Sequence, residues 1–270
     1  MERFRGKILP FILRLLRRSK GTFIFILGMV VVGIVWHFLA LHIDRTIILP
    51  NFAETMRVFI SLWTDEVVMT GLLITLERIF RGFGIAVLIG LPLGLLMGYS
   101  KTIRDALSPL MNSVRQVPVM AWIPLGVIWF GIMGGVTTFI ITISSIFPLM
   151  LNTIAGVQNI DQNYINAAKS MGASQFKIFT TIILPGALPN FLVGCRLGLG
   201  LAWFSVICAE FIATREGFGF LIVNAQHGFQ IYMLYSLIIM SGVVGFLLDR
   251  ILQVIERLVT PWRYKNAAID

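Results

Sequence analysis

Apolar residues fall along this chain in long, nearly uninterrupted runs: Thr22 to Leu41, Gly82 to Tyr99, Val136 to Ile154, Phe191 to Ala213 and Ile231 to Leu248. A helix needs roughly 20 mostly apolar residues to cross a hydrocarbon core about 30 Å thick, so each run is of spanning length. A further span is predicted between Ala106 and Phe130, where Pro109, Arg115-Gln116, Pro118 and Pro124 interrupt the pattern. Prolines at that density break or kink a helix, and a break survives at membrane depth only where other helices or water satisfy the freed backbone groups. This segment is expected to face protein or a cavity. The pattern therefore predicts an all-α polytopic membrane protein. Its six transmembrane helices are placed at about 22–41, 70–99, 106–130, 136–155, 191–213 and 231–250. They make up a transmembrane domain over 22–260, with tails over 1–21 and 261–270.

Several shorter patterns refine this outline. The connection from Asp44 to Glu66 carries Leu49-Pro50 ahead of a short amphipathic helix, read as a surface helix lying on the bilayer. The second span starts early, because Val67 to Arg81 is already helical in pattern and Glu77 and Arg81 have the i, i+4 spacing that lets them pair. Ala86, Gly90, Gly94 and Gly98 recur every fourth residue and form one small-residue stripe where a neighbouring backbone can approach closely. Gly194 with Gly198, and Ser241 with Gly245, repeat that spacing, and all are read as packing positions within one subunit.

Composition supports the membrane reading: 57% of the 270 residues are hydrophobic and only 13% charged, where a soluble domain carries about 25% charged residues. The net charge of +9 does not point to nucleic acid, because the basic residues lie between apolar runs and not on one soluble face. They orient the chain instead. Placing the N-terminus inside gathers Arg3, Arg5, Lys7, Arg14, Arg17, Arg18, Lys20, Lys101, Arg104, Lys169, Lys177, Arg250, Arg257, Arg263 and Lys265 on the inner side. Arg45, Arg57 and Arg215 remain outside. Both termini are then expected to be cytoplasmic, with Trp262 and Tyr264 as an interfacial anchor. The first apolar run exceeds a signal peptide's and lacks a small-residue cleavage site at Leu39-Ala40-Leu41-His42, so it is read as a retained span. Cys195 and Cys208 read as small buried thiols, and His37, His42 and His227 form no metal spacing.

The most informative stretch is the polar interruption at 157–190. It reads Asn166-Ala167-Ala168-Lys169-Ser170-Met171-Gly172, then nine residues, then Ile182-Ile183-Leu184-Pro185. Ala167 and Ala168 favour helix, and Gly172 lets the chain turn without steric penalty. Two short helices with a bend at Gly172 are predicted. Phe176, Ile178, Phe179, Ile182 and Ile183 give the second an apolar face, and Pro185 and Pro189 are expected to end it before the fifth span. A lobe with an exposed apolar face needs a partner.

This spacing resembles the cytoplasmic "EAA" loop of ABC-importer permeases, which docks as a coupling helix into a groove of the ATPase subunit. The resemblance runs from about Leu49 to Arg263 and is nearest to the sulfonate, taurine and nitrate type. It also rests on Leu76-Glu77-Arg78-Ile79-Phe80-Arg81-Gly82-Phe83, on Arg115-Gln116-Val117-Pro118-Val119-Met120-Ala121-Trp122-Ile123-Pro124-Leu125, and on Ile128-Trp129-Phe130-Gly131. Phe147-Pro148, Leu197-Gly198-Leu199-Gly200-Leu201-Ala202-Trp203 and Gly217-Phe218-Gly219 add to it. Asn166 stands where the family has a glutamate, so no carboxylate is available there for a salt bridge.

The resemblance implies the type I ABC importer permease fold in a bacterial-type inner membrane, paired with a second permease copy as a homodimer. It also implies an ABC ATPase subunit inside and an extracytoplasmic solute-binding protein outside. Asn166, Ala167, Ala168, Gly172, Phe176, Phe179, Ile182, Leu184 and Pro185 would form the ATPase-coupling surface. No Gly-x-x-x-x-Gly-Lys-[Ser/Thr] phosphate loop occurs in the chain, so no cofactor is expected here, and ATP and Mg are expected on the partner ATPase.

Charged residues in apolar runs are the remaining candidates. A charge at a helix centre costs about 2.5 to 3.5 kcal/mol on insertion scales, so Arg196 and Glu210 either line the translocation pathway or reach water near an interface. Arg115, Gln116 and Arg78 are the other pathway candidates. Inward-facing Arg78, Arg115 and Arg196 would suit an anionic solute, while an uncharged nutrient such as a pyrimidine precursor stays open. A membrane enzyme is disfavoured because neither a His-Glu-x-x-His motif nor an aspartate pair occurs. An ion-coupled secondary transporter is disfavoured because it would need inverted repeats and paired broken helices.

Overall fold

In the computed structural model, residues 24, 27–132 and 134–261 are described, and every regular element among them is helical. The expected basic tail, the first residues of the first span and the Trp262–Tyr264 anchor lie outside the described residues. The first helix, α1 (Leu27–Ile43), is followed by α2 (Phe52–Leu62), α3 (Glu66–Tyr99) and α4 (Lys101–Gln116). A 3₁₀ turn at Val119–Trp122 leads into α5 (Ile123–Phe130), then come α6 (Gly134–Gln158), α7 (Gln162–Ser170) and α8 (Gln175–Ile178). α9 (Leu184–Ala213), α10 (Phe218–His227) and α11 (Ile231–Val259) follow in the described residues. α3, α6, α9 with its preceding turns, and α11 are each long and apolar enough to cross a membrane.

The core is a three-helix seam with α6 between α3 and α9. Its closeness follows from the small-residue stripes. A Cβ at Gly94 would lie 2.6 Å from Thr153 Cβ, and one at Gly194 would lie 2.9 Å from the carbonyl oxygen of Pro148. Neither position can carry a larger residue without forcing the helices apart. In a bilayer, where lipid is as apolar as leucine, such packing and a few interhelical hydrogen bonds hold helices together. Those bonds are present: Thr142 Oγ1 donates to the Gly82 carbonyl (3.1 Å) and Ser145 Oγ donates to the Gly198 carbonyl (3.1 Å). Gly245 packs against the Trp203 ring of α9. All three stripes therefore serve packing within the chain.

The outward faces are apolar: Val67, Leu73, Phe80 and Leu88 on α3, and Ile251, Val254 and Leu258 on α11, are all exposed. Exposed apolar surface on this scale suits contact with lipid or protein, not water. α2 packs one face on the start of α11, burying Thr55 and Leu62, and Ser236 Oγ donates to the Thr55 carbonyl (2.9 Å).

One expectation is sharpened in the structure and one changes. The span expected at 106–130, interrupted by prolines, is sharply bent, α4 and the 3₁₀–α5 rod meeting at 92°. The bend follows from Pro118, which pushes the preceding residue out of helical conformation, and Val117 is extended (φ −71°, ψ 122°). Pro185 and Pro189 do not end a helix: Gln175–Ala213 is one 39-residue rod. A π turn at Phe179–Ile183, with Leu184 N–H bonded to the Phe179 carbonyl, shifts the register just ahead of Pro185. Pro185 then sits in the first turn of a new α segment, where its missing N–H is not required.

Candidate functional site

The lobe that joins α6 to α9 is built around one helix terminator. Asp161 caps the start of α7 by accepting from Asn163 N–H (2.8 Å). At the other end, Gly172 N–H donates to the Lys169 carbonyl (2.9 Å) and Ala173 N–H to the Ala168 carbonyl (3.0 Å), with Gly172 at φ +77°. This is the Schellman arrangement, in which a left-handed residue after the helix lets two otherwise orphaned carbonyls be satisfied, with an apolar contact across the turn. Ala168 and Ala173 supply that contact within a cluster formed by Leu95, Val157, Ile178, Ile183 and Ala187. Ser174 then caps α8 and the chain re-enters the long rod.

The cluster divides the expected coupling residues into two sets. Ala168, Phe179 and Ile182 pack inward, Phe179 edge-on to Tyr99 at 6.5 Å between ring centroids. Asn166, Ala167, Gly172, Phe176, Leu184 and Pro185 are exposed. The most prominent apolar groups on the lobe are Met171 (87% exposed), Phe176 (78%) and Tyr164 (68%). Met171 and Tyr164 escape sequence reasoning, although the terminator signals Met171: the residue before a left-handed glycine is the helix cap and points away from the packed face.

At the opposite end of the rod, a polar cluster is closed over itself. Arg78 of α3 donates through Nη1 to Glu210 Oε1 (2.9 Å) and to the Glu216 carbonyl (3.0 Å), and through Nη2 to Glu216 Oε1 (2.5 Å). Thr75 Oγ1 donates to the Glu210 carboxylate (2.9 Å) and accepts from Phe218 N–H (2.8 Å), while Gly219 N–H donates to Glu210 Oε2 (2.8 Å). Glu210 is fully buried and the Arg78 side chain is 5% exposed. A Cβ at Gly217, held at φ +105°, would collide with the Glu210 carboxylate, so the Gly217-Phe218-Gly219 turn must present bare backbone. An unpaired charge there would be strongly destabilising; here every partner is supplied. Thr75 and Glu216 are the members that sequence reasoning does not single out.

The remaining pathway candidates stand apart from this cluster. Arg196 holds Asp249 of α11 through two bonds (2.5 and 3.2 Å), both side chains 39% exposed, in an open cleft of about 850 Å³ that Leu197, Leu201 and Glu256 help to line. Arg115 and Gln116 are exposed at the α4–α5 elbow. The five candidates therefore occupy three separate places. No group of three or more metal-ligating side chains forms among the described residues.

Comparison with known proteins agrees with this architecture. The taurine transport system permease of Escherichia coli is 34% identical, over 84% of this chain and 84% of that protein. The nitrate import permease of a Synechocystis strain is 34% identical, over 75% of this chain and 74% of that protein. Among solved structures, an inward-facing form of the methionine ABC transporter MetNI superposes with a TM-score of 0.63 at 20% identity, covering 72% of this chain and 96% of that one. The family described as the binding-protein-dependent transport system inner membrane component matches residues 86–261. With α3, α6 and α9 in one packed seam and the helical lobe between α6 and α9, this chain belongs to that family, the permease subunits of ABC importers.

Proposed function

We propose that this chain forms the translocation pathway for a small solute bearing an anionic group, such as a sulfonate, taurine, nitrate or a similar compound. ATP hydrolysis on a separate subunit drives it through the lobe at 157–190. The carrying observation is the surface of that lobe: Tyr164, Met171 and Phe176 stand in solvent while the helices beneath them are fixed by a buried cluster. Exposed large apolar groups on a rigid base are the chemistry of a docking surface. A homodimer of this chain in a bacterial-type inner membrane, six spans per copy with both termini cytoplasmic, is part of the same reading, as is an extracytoplasmic solute-binding protein. Support for an anionic solute comes from the taurine and nitrate permeases among the relatives. The arginines add little to it, since Arg78 is already held by two carboxylates and Arg196 by one.

The chain purified from membranes is expected to bring an ATPase with it. A Phe176→Asp variant should fold with unchanged thermal stability yet lose more than about tenfold in ATP-dependent uptake, as when one desolvated interface residue is removed. Nucleotide-independent uptake by this chain alone in proteoliposomes would overturn the reading. A Phe176→Asp variant with full uptake would remove the docking role.

A further inference from the structure

The Arg78 cluster has two unlike arms. Glu210 is entirely buried, takes hydrogen bonds from Arg78, Thr75 and Gly219 N–H, and cannot leave without stranding a guanidinium in the core. The Glu216 side chain is 60% exposed and holds Arg78 through a single carboxylate oxygen. Glu216 lies in the turn Thr214–Gly217 between α9 and α10, and its backbone carbonyl accepts from both Arg78 and Thr214 Oγ1. Immediately outside is a cavity of about 380 Å³ whose lining includes Thr70 of α3, Glu216 and Phe220 of α10. The connection from α9 to α10 is thus tied to α3 by buried bonds, from Arg78 to the Glu216 carbonyl and from Phe218 N–H to Thr75, and by one ion pair open to water.

We infer that the Glu216–Arg78 contact is a releasable clasp that positions the α9–α10 turn over the end of α3, and that its opening is a step in the transport cycle. Nothing else in the cluster needs to break for the Glu216 carboxylate to leave. Glu210 retains Arg78, Thr75 keeps its place, and the carboxylate of Glu216 passes into solvent where it is readily hydrated. An ion pair half in water contributes little to stability, which suits a contact that forms and breaks repeatedly. Gly217 and Gly219 let the turn lie with bare backbone against the fixed carboxylate of Glu210. Glu216 is therefore a positioning residue, and this assignment rests on the transport role proposed above.

The test uses the complete transporter in nanodiscs, the permease with its ATPase and binding protein. In Glu216→Gln, hydrogen exchange of the 214–220 segment should accelerate about three- to fivefold, the population shift expected on losing one half-exposed ion pair. ATP hydrolysis without binding protein should rise by a similar factor, and Glu216→Asp should restore part of both. Bridging cysteines at Thr70→Cys and Phe220→Cys with a bismaleimide, in a background lacking Cys195 and Cys208, should stop uptake while leaving the complex assembled. Faster exchange with unchanged hydrolysis and full uptake by the bridged form would make the pair merely structural and overturn the clasp. Wild-type complex that hydrolyses no ATP would instead sink the importer reading itself.

Discussion

The two ends of the long rod Gln175–Ala213 invert the usual placement of side chains. At the start, Phe176 is 78% exposed beside the exposed Met171 of the preceding turn. Near the finish, Glu210 is 0% exposed and ion-paired. Apolar groups stand outside at one end and a charge lies inside at the other. The difference teaches where each end finds its partners: the buried charge is satisfied within the chain, whereas the exposed apolar groups of the lobe find no cover among the described residues. One end is closed upon itself, and the other is the docking surface proposed above.

Substitutions at the two ends should therefore fail in different ways. The largest loss is expected for Glu210→Ala, which leaves Arg78 with only its half-exposed partner and Gly219 N–H with none. Removing one member of a buried pair costs about 3 to 5 kcal/mol, and the readout is loss of monodisperse protein on thermal challenge in detergent. Should that variant melt like the wild type, the cluster contributes nothing and the contrast between the ends disappears.

A smaller effect is expected at the lobe. Gly172→Ala forces a side chain into the left-handed region and should cost about 1 kcal/mol, seen as a modest fall in melting temperature. Because the terminator sets the angle of α7, uptake should fall further than stability. Equal losses in both would show that the lobe's orientation does not matter to coupling.

The smallest effect sharpens the comparison inside α3. Arg81 pairs with Glu77 at 2.6 Å with both side chains more than half exposed, three residues from buried Arg78. Glu77→Gln should change stability by about 0.3 to 0.5 kcal/mol at most. A thermal melt of this variant beside Glu210→Ala separates the cost of burial from the cost of losing an ion pair. Comparable shifts would mean that the Arg78 site behaves as a surface pair.

Much of this architecture is legible along the chain because membrane burial writes itself in one dimension. The apolar runs marked α3, α6, α9 and α11, the four-residue spacing of Ala86, Gly90, Gly94 and Gly98 marked a packed stripe, and Pro118 marked the break before α5. Gly172 marked the bend because only a left-handed residue ends α7 in that way. Pro185 misled, since a proline stops a helix only when its register would demand the missing N–H, and the π turn before it removes that demand.

What the sequence by itself determined, then, is the set of helices, the small-residue faces that let them meet and the place of the lobe between α6 and α9. All of these follow from local composition and spacing. Tertiary structure alone decided which charges are spent on one another. Arg78 lies 132 positions from Glu210, and nothing in the local pattern of α3 announces that a glutamate from α9 and another from the next turn will converge on it. The same holds for Phe176 and Phe179, near neighbours with similar side chains, one facing out and one facing in. Their fates were set by Tyr99 and the cluster beneath them, because burial belongs to the neighbours a residue acquires on folding.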